Sequence, residues 1–272
     1  MSAAARLAGF AVALAAVFAV ATVAGGAVGP DREDDARERA QAPAAHGEEM
    51  GGMEQADPIR GLARAEDGLT LALERTALKR GERSELRFAI NGSRGPVKDF
   101  EVTHEKRMHV IVVRRDGTGF QHLHPEFDDG TWRTPITLPD AGAYRVYADF
   151  SRNGEAHTLA ADLTVDGDAE YVPFPPPSTV DETDGYRVEL KPDGDTLDFE
   201  ITKDGAPVKT EPYRGAGGHL VALREGDLAF LHVHPEEGDA PRFEADLDPR
   251  SRYHLYLQFQ HDGQVHTAEF TR

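Results

Sequence analysis

The feature that most constrains this chain is an internal duplication. His122-Leu-His-Pro-Glu126 recurs as His232-Val-His-Pro-Glu236, and its surroundings recur with it. His109-Val-Ile-Val-Val matches His219-Leu-Val-Ala-Leu. Tyr144-Arg-Val-Tyr-Ala-Asp-Phe150 and its following Asn153-Gly154 match Tyr253-His-Leu-Tyr-Leu-Gln-Phe259 and Asp262-Gly263. Whatever fold is adopted must be buildable twice, once per copy of about 100 residues, a size at which a domain can bury its own core. Four histidines hold nearly fixed spacing in each copy: His109, His122, His124 and His157, then His219, His232, His234 and His266.

The copies follow a different kind of sequence. Residues 7–28 form an uncharged run rich in Ala, Val and Leu, preceded by Arg6 and followed by an acidic stretch. A charged start before such a run predicts export, with everything beyond it outside the cytoplasm. At 22 residues it is closer to a membrane-spanning anchor than to a cleaved leader, which would leave the protein secreted. Residues 1–29 are therefore expected to be a signal-anchor or signal peptide, and residues 30–60 an acidic flexible linker. That linker carries His46, Met50 and Met53, a weak auxiliary set whose thioethers and imidazole suit copper.

From about Gly68 short alternating runs, separated by Gly, Asn-Gly, Asp-Gly and Pro, predict strands. The expectation is all-β: two tandem antiparallel immunoglobulin-like β-sandwiches, spanning 66–167 and 185–272 and joined by a Pro-rich connector at 168–184. The net charge of −18 argues against nucleic acid as a partner. There is no cysteine, so any metal must be held by imidazole, carboxylate or thioether.

Strand parity then groups the histidines. Two-residue turns at Asn153-Gly154 and Asp262-Gly263 would pair Phe150 with His157 and Phe259 with His266, on the apolar side. A tight turn at Glu225-Gly226 would set His219 directly opposite His232, with His234 on the same face; His109, His122 and His124 follow the same pattern. The expectation is one histidine cluster per sandwich, able to bind a metal ion in about two equivalents per chain. Copper comes first in the affinity order, with zinc or nickel as alternatives. His104, His254 and His261 lack counterparts and are read as surface residues. Met108 lies on the opposite strand face from His109.

The segments Met108-His-Val-Ile-Val-Val, Phe120-Gln-His-Leu-His-Pro-Glu126 and Gly142-Ala-Tyr-Arg-Val-Tyr-Ala-Asp-Phe150 resemble an exported bacterial immunoglobulin-like domain. It is similar to YtkA-like and periplasmic copper-resistance sandwich domains, here in tandem duplicate. The resemblance implies an extracytoplasmic sandwich and copper handling. The simplest periplasmic copper carriers use a histidine at the mature amino terminus, which no cleavage point here would expose. Three functions compete: an anchored metal buffer or relay, a structural or interaction module with an envelope partner whose histidines only hydrogen-bond in the core, and, last, a metalloenzyme. The last would need an open metal position and a placed acid such as Glu126 or Glu236.

Overall fold

The computed structural model describes residues 59–272, apart from residues 232, 237 and 239 and the side chain of His234. The anchor and linker expectations, with His46, Met50 and Met53, therefore lie outside the described residues, as does His232. Among the described residues there are strands and turns and no α-helix, and no helix long and apolar enough to cross a membrane.

The first copy contains β1 (Ala65–Glu66), β2 (Leu69–Leu73), β3 (Ala77–Leu78), β4 (Ser84–Gly92), β5 (Gly95–Pro96), β6 (His109–Arg114), β7 (Gln121–Leu123), β8 (Glu126–Asp128), β9 (Thr131–Ile136), β10 (Gly142–Arg152) and β11 (Glu155–Val165). The second contains β12 (Val180–Thr183), β13 (Tyr186–Asp193), β14 (Thr196–Lys203), β15 (Ala206–Pro207), β16 (His219–Arg224), β17 (Phe230–Leu231), β18 (His234–Pro235), β19 (Arg242–Glu244), β20 (Tyr253–His261) and β21 (Gln264–Thr271).

In the first copy, β1-β2-β4-β9-β8 form one sheet and β3-β11-β10-β6-β7 the other. All pairings are antiparallel except β3 with β11, which run parallel. That strand order is immunoglobulin-like. A further mark is the tyrosine at the start of β10: Tyr144 OH donates to Asp140 O at 2.9 Å, tying the strand to the corner before it. The second copy repeats the plan, with β12-β13-β14-β19-β18 against β17-β16-β20-β21. Its corner is the reverse bond, Asp248 N–H to Tyr253 OH at 3.2 Å.

Alternation explains the cores. Leu86, Phe88 and Ile90 of β4 face Tyr144, Val146, Ala148 and Phe150 of β10, and Trp132 closes the layer. Val188, Leu190, Phe199 and Ile201 meet Leu255, Leu257 and Phe259 in the second copy. β6 departs from alternation, because all six of its residues are buried. A strand apolar on both faces is covered on both. Its second face, with Ile111 and Val113, joins Tyr147 of β10 in packing on Val221, Leu223, Phe230 and Tyr256 of the other copy.

The two copies thus dock sheet to sheet about an approximate two-fold relation. Phe120 stacks on Tyr256 at 4.1 Å, and its equivalent Phe230 lies 5.5 Å from Tyr147. Tyr147 OH donates to Leu228 O at 2.6 Å, and Tyr256 OH donates to Gly117 O. Each buried phenol therefore satisfies a loop carbonyl of the opposite copy.

Candidate metal centre between the two copies

The β10–β11 and β20–β21 hairpins adopt the expected register: Phe150 pairs with His157, and Phe259 with His266. Asn153, Gly154, Asp262 and Gly263 all have positive φ, as the type I′ turn needs. The other hairpins differ from expectation by two residues. Ile111, rather than His109, lies opposite His122, and Leu223 lies opposite Phe230. The loops at 115–120 and 225–229 are longer than two-residue turns; Arg224 N–H reaches Ala229 O at 3.0 Å, and Leu228 turns left-handed. A slip of two preserves the face, so the histidines stay on the side that parity assigns.

That side is not the sandwich core. His109 pairs with Asp149 and His219 with Gln258, on the faces that carry Tyr147 and Tyr256. Among the described residues, His109, His122, His124 and His219 therefore converge between the copies. Their ring centroids lie 4.8–5.8 Å apart for the pairs His109–His122, His109–His124, His109–His219, His122–His124 and His122–His219. One nitrogen from each of His109, His122 and His219 falls within 4.8 Å of the others, a group able to hold a metal ion.

The outer hydrogen bonds set the tautomers. His109 Nε2–H donates to Thr103 O at 3.0 Å, and His122 Nδ1–H donates to Gln258 Oε1 at 2.7 Å. The Gln258 amide is oriented in turn by Thr267 Oγ1, 3.4 Å from its Nε2. In the neutral rings this leaves His109 Nδ1 and His122 Nε2 as two lone pairs facing each other at 3.1 Å. A cation between them, a proton on one ring, or a turned Gln258 amide that lets His122 Nε2–H donate to His109 Nδ1 relieves this conflict. Two imidazoles on one tetrahedral ion, bonded at about 2.0–2.1 Å, stand about 3.3 Å apart. Outer partners of this kind orient metal-ligating histidines in general. His124 Nε2 and His219 Nε2 are also buried and have no hydrogen-bond partner.

Protonation is the disfavoured way out. Burial, then the neighbouring His109, holds His122 down at about 3. Burial, then His122 and His109, brings His124 to about 3, and burial with the surrounding histidines brings His219 to about 2. Arg214 adds to the depression at His122 and His124, and Lys106 at His124. Arg214 opposes a metal cation for the same reason, tempered by Glu105 at 3.7 Å.

His157 and His266 stand apart from this group, on the core faces. His157 stacks on Phe150 at 5.4 Å with its Nδ1 4.0 Å from Asp67. His266 packs on Tyr186 at 4.6 Å and its Nδ1 donates to Asp184 at 2.9 Å. The fourth histidine of each copy thus has an aspartate at the same place in its sandwich, hydrogen-bonded in the second copy and 4.0 Å away in the first. His234 is in β18, across from Glu244 of β19. Glu126 and Glu236 turn to Arg133 and Arg242, each at 3.7 Å.

Three histidines have no counterpart in the other copy. His104, exposed as expected, nevertheless joins the cluster, its ring 5.2 Å from His219 and 6.2 Å from His109. His254 is not on the surface: it is 3% exposed, stacked on Tyr256 and bonded to Glu269. Its parity with Tyr256 and Gln258 was the available signal. His261 remains partly exposed, and Met108 is buried in the first core, opposite His109's face.

A family model described as Domain of unknown function (DUF8832) matches residues 63–167 and 180–272, which hold the two sandwiches. The chain belongs to this family. Solved structures overlap the DUF8832 chain only loosely. Salmonella alpha-2-macroglobulin reacted with methylamine is 15% identical, with 78% of this chain and 15% of that chain covered and a TM-score of 0.29. The Escherichia coli adhesin FdeC is 16% identical, covering 75% and 63%, with a TM-score of 0.27. A chimeric titin Z1Z2 is 15% identical, covering 75% and 93%, with a TM-score of 0.22. This chain thus spans a small part of the macroglobulin. A comparison with curated proteins finds no match.

Proposed function

We propose that this DUF8832 chain is an extracytoplasmic metal-binding protein, anchored or secreted, that buffers or relays a metal through histidines gathered between its sandwiches. The observation that carries the reading is the pair of facing lone pairs, His109 Nδ1 and His122 Nε2, with His219 beside them. His124 Nε2, buried without a partner, is a fourth candidate donor. Three or four neutral imidazoles suit Cu(II), Zn(II) or Ni(II), and the affinity order favours copper. The apolar amino-terminal run, the His46, Met50 and Met53 segment, and the resemblance to YtkA-like and copper-resistance domains agree with copper outside the cytoplasm. No catalysis is proposed.

A second reading has its own support. His157 and His266 each pack on an aromatic ring with an aspartate nearby, an arrangement suited to a structural role, and the interface set could play the same part in a cell-envelope interaction module. Metal titration of the purified full chain separates the two. Under the metal reading Cu(II) binds at the shared centre and raises the unfolding temperature, as any ligand selective for the folded state must. His122→Ala and His219→Ala, one from each copy, then abolish the same equivalent, while His266→Ala leaves it in place. Lowered stability in all three variants with no metal bound by the parent chain would establish the structural reading instead.

A further inference from the structure

The centre is partly sealed, with His109 buried and His122, His124 and His219 half-buried. His109 is 6% exposed, and Ile111, Val221 and Phe230 wall the inner side. One cavity, of about 80 Å³, adjoins it, with His109, His122, His219 and Asp149 on its walls and His104 and Lys106 at its edge. A single water needs about 10–15 Å³ of such space, so a partly hydrated ion fits.

His104 is the exposed member of the group, on the loop between Thr103 and Lys106. That loop is a tight reversal: Thr103 N–H donates to Lys106 O at 2.8 Å, Lys106 N–H returns to Thr103 O at 3.1 Å, and His104 and Glu105 are both left-handed. Thr103 O is also the acceptor that orients His109. The loop that presents His104 to solvent is therefore fastened to a ring of the buried centre. The second copy has the same reversal at Tyr213–Ala216, but Arg214 occupies the equivalent place. A guanidinium remains protonated and offers no lone pair.

Resting on the metal reading above, we infer that this cavity is the entry path to the centre and that His104 is its capture ligand. It takes a divalent ion from solvent and passes it to His219 and His109, from the first-copy side. A ligand used in transit sets rates of uptake and release while leaving the equilibrium site intact.

The test is stopped-flow uptake of Cu(II) by the full chain, and release to a chromophoric chelator, for the parent and for His104→Asn. Asparagine tolerates the left-handed backbone of this position, so the loop keeps its shape; matching unfolding temperatures check that. The expected result is unchanged stoichiometry, equilibrium affinity within about threefold, and both rates at least tenfold slower. Rates equal to the parent's overturn the inference while leaving the metal reading intact. Loss of the bound equivalent also overturns it, because His104 would then be a permanent ligand. A parent chain that binds no Cu(II) sinks the metal reading and this inference together.

Discussion

A half-buried imidazole with its polar partners arranged for the neutral ring resists protonation, and His122 is such a group. Its Nδ1–H is committed to Gln258, while His109, His104 and Arg214 place positive charge or potential positive charge around it. His122 and His124 are lowered to about 3 and His219 to about 2, from an ordinary value of 6.5. The sign follows from proton counting. Between those values and 6.5 the unfolded chain takes up protons that the folded chain refuses, so acid favours unfolding. The metal-free chain should keep this stability above about pH 6.5 and lose it progressively as pH falls towards 3. Urea midpoints across that range should show a shallower slope for His122→Gln, which removes one of the three groups. An unchanged slope would mean that His122 titrates normally in the fold. At this scale the sequence showed which histidines recur, but not that His104 and His254, which do not recur, would also be placed beside the interface.

At the scale of the element, turn chemistry was the most readable part of the chain. Asp262-Gly263 and Asn153-Gly154 fix their hairpins in the register that their residues demand, because both central positions must turn left-handed. Nothing lies within 4 Å of a Cβ added at Gly263, so Gly263→Ala tests conformation alone. It should cost about 1–2 kcal/mol, the usual penalty for an L-residue there, read as a lower midpoint in denaturant with unchanged slope. The β6–β7 and β16–β17 hairpins were less readable: Asp116-Gly117 and Glu225-Gly226 sit inside longer loops where only the glycine of each pair turns left-handed, and the register slipped by two. Parity survived the slip, and so the grouping of His109 with His122 survived. What parity could not supply was which of two covered faces the group occupies. The unbroken apolar run of β6 was the clue, and in a sheet covered on both sides the histidine face belongs to the neighbouring domain.

At the scale of the molecule, duplication produced an internal pseudo-dimer, and the candidate centre belongs to neither half alone. His109 and His122 come from one copy and His219 from the other, while Gln258 of the second copy orients His122 of the first. Binding must therefore depend on docking, even through residues that touch no ligand. Leu223 provides the test, since it lies on β16 in the interface cluster with Val113, Tyr147 and Tyr256, outside both the second sandwich's own core and the cavity that His109 and His219 line. A carboxylate there is buried while the copies are docked, and burying one costs several kcal/mol. Once the copies separate, water solvates it and the second core is untouched. Leu223→Asp should therefore leave two folded sandwiches but enlarge the radius of gyration in solution scattering. Affinity for Cu(II) should fall by at least a hundredfold, because the ligand set is divided between separated bodies and the docking energy must be met from binding. An expanded particle that still binds Cu(II) with the parent's affinity would show that one copy suffices, and the shared centre would have to be abandoned.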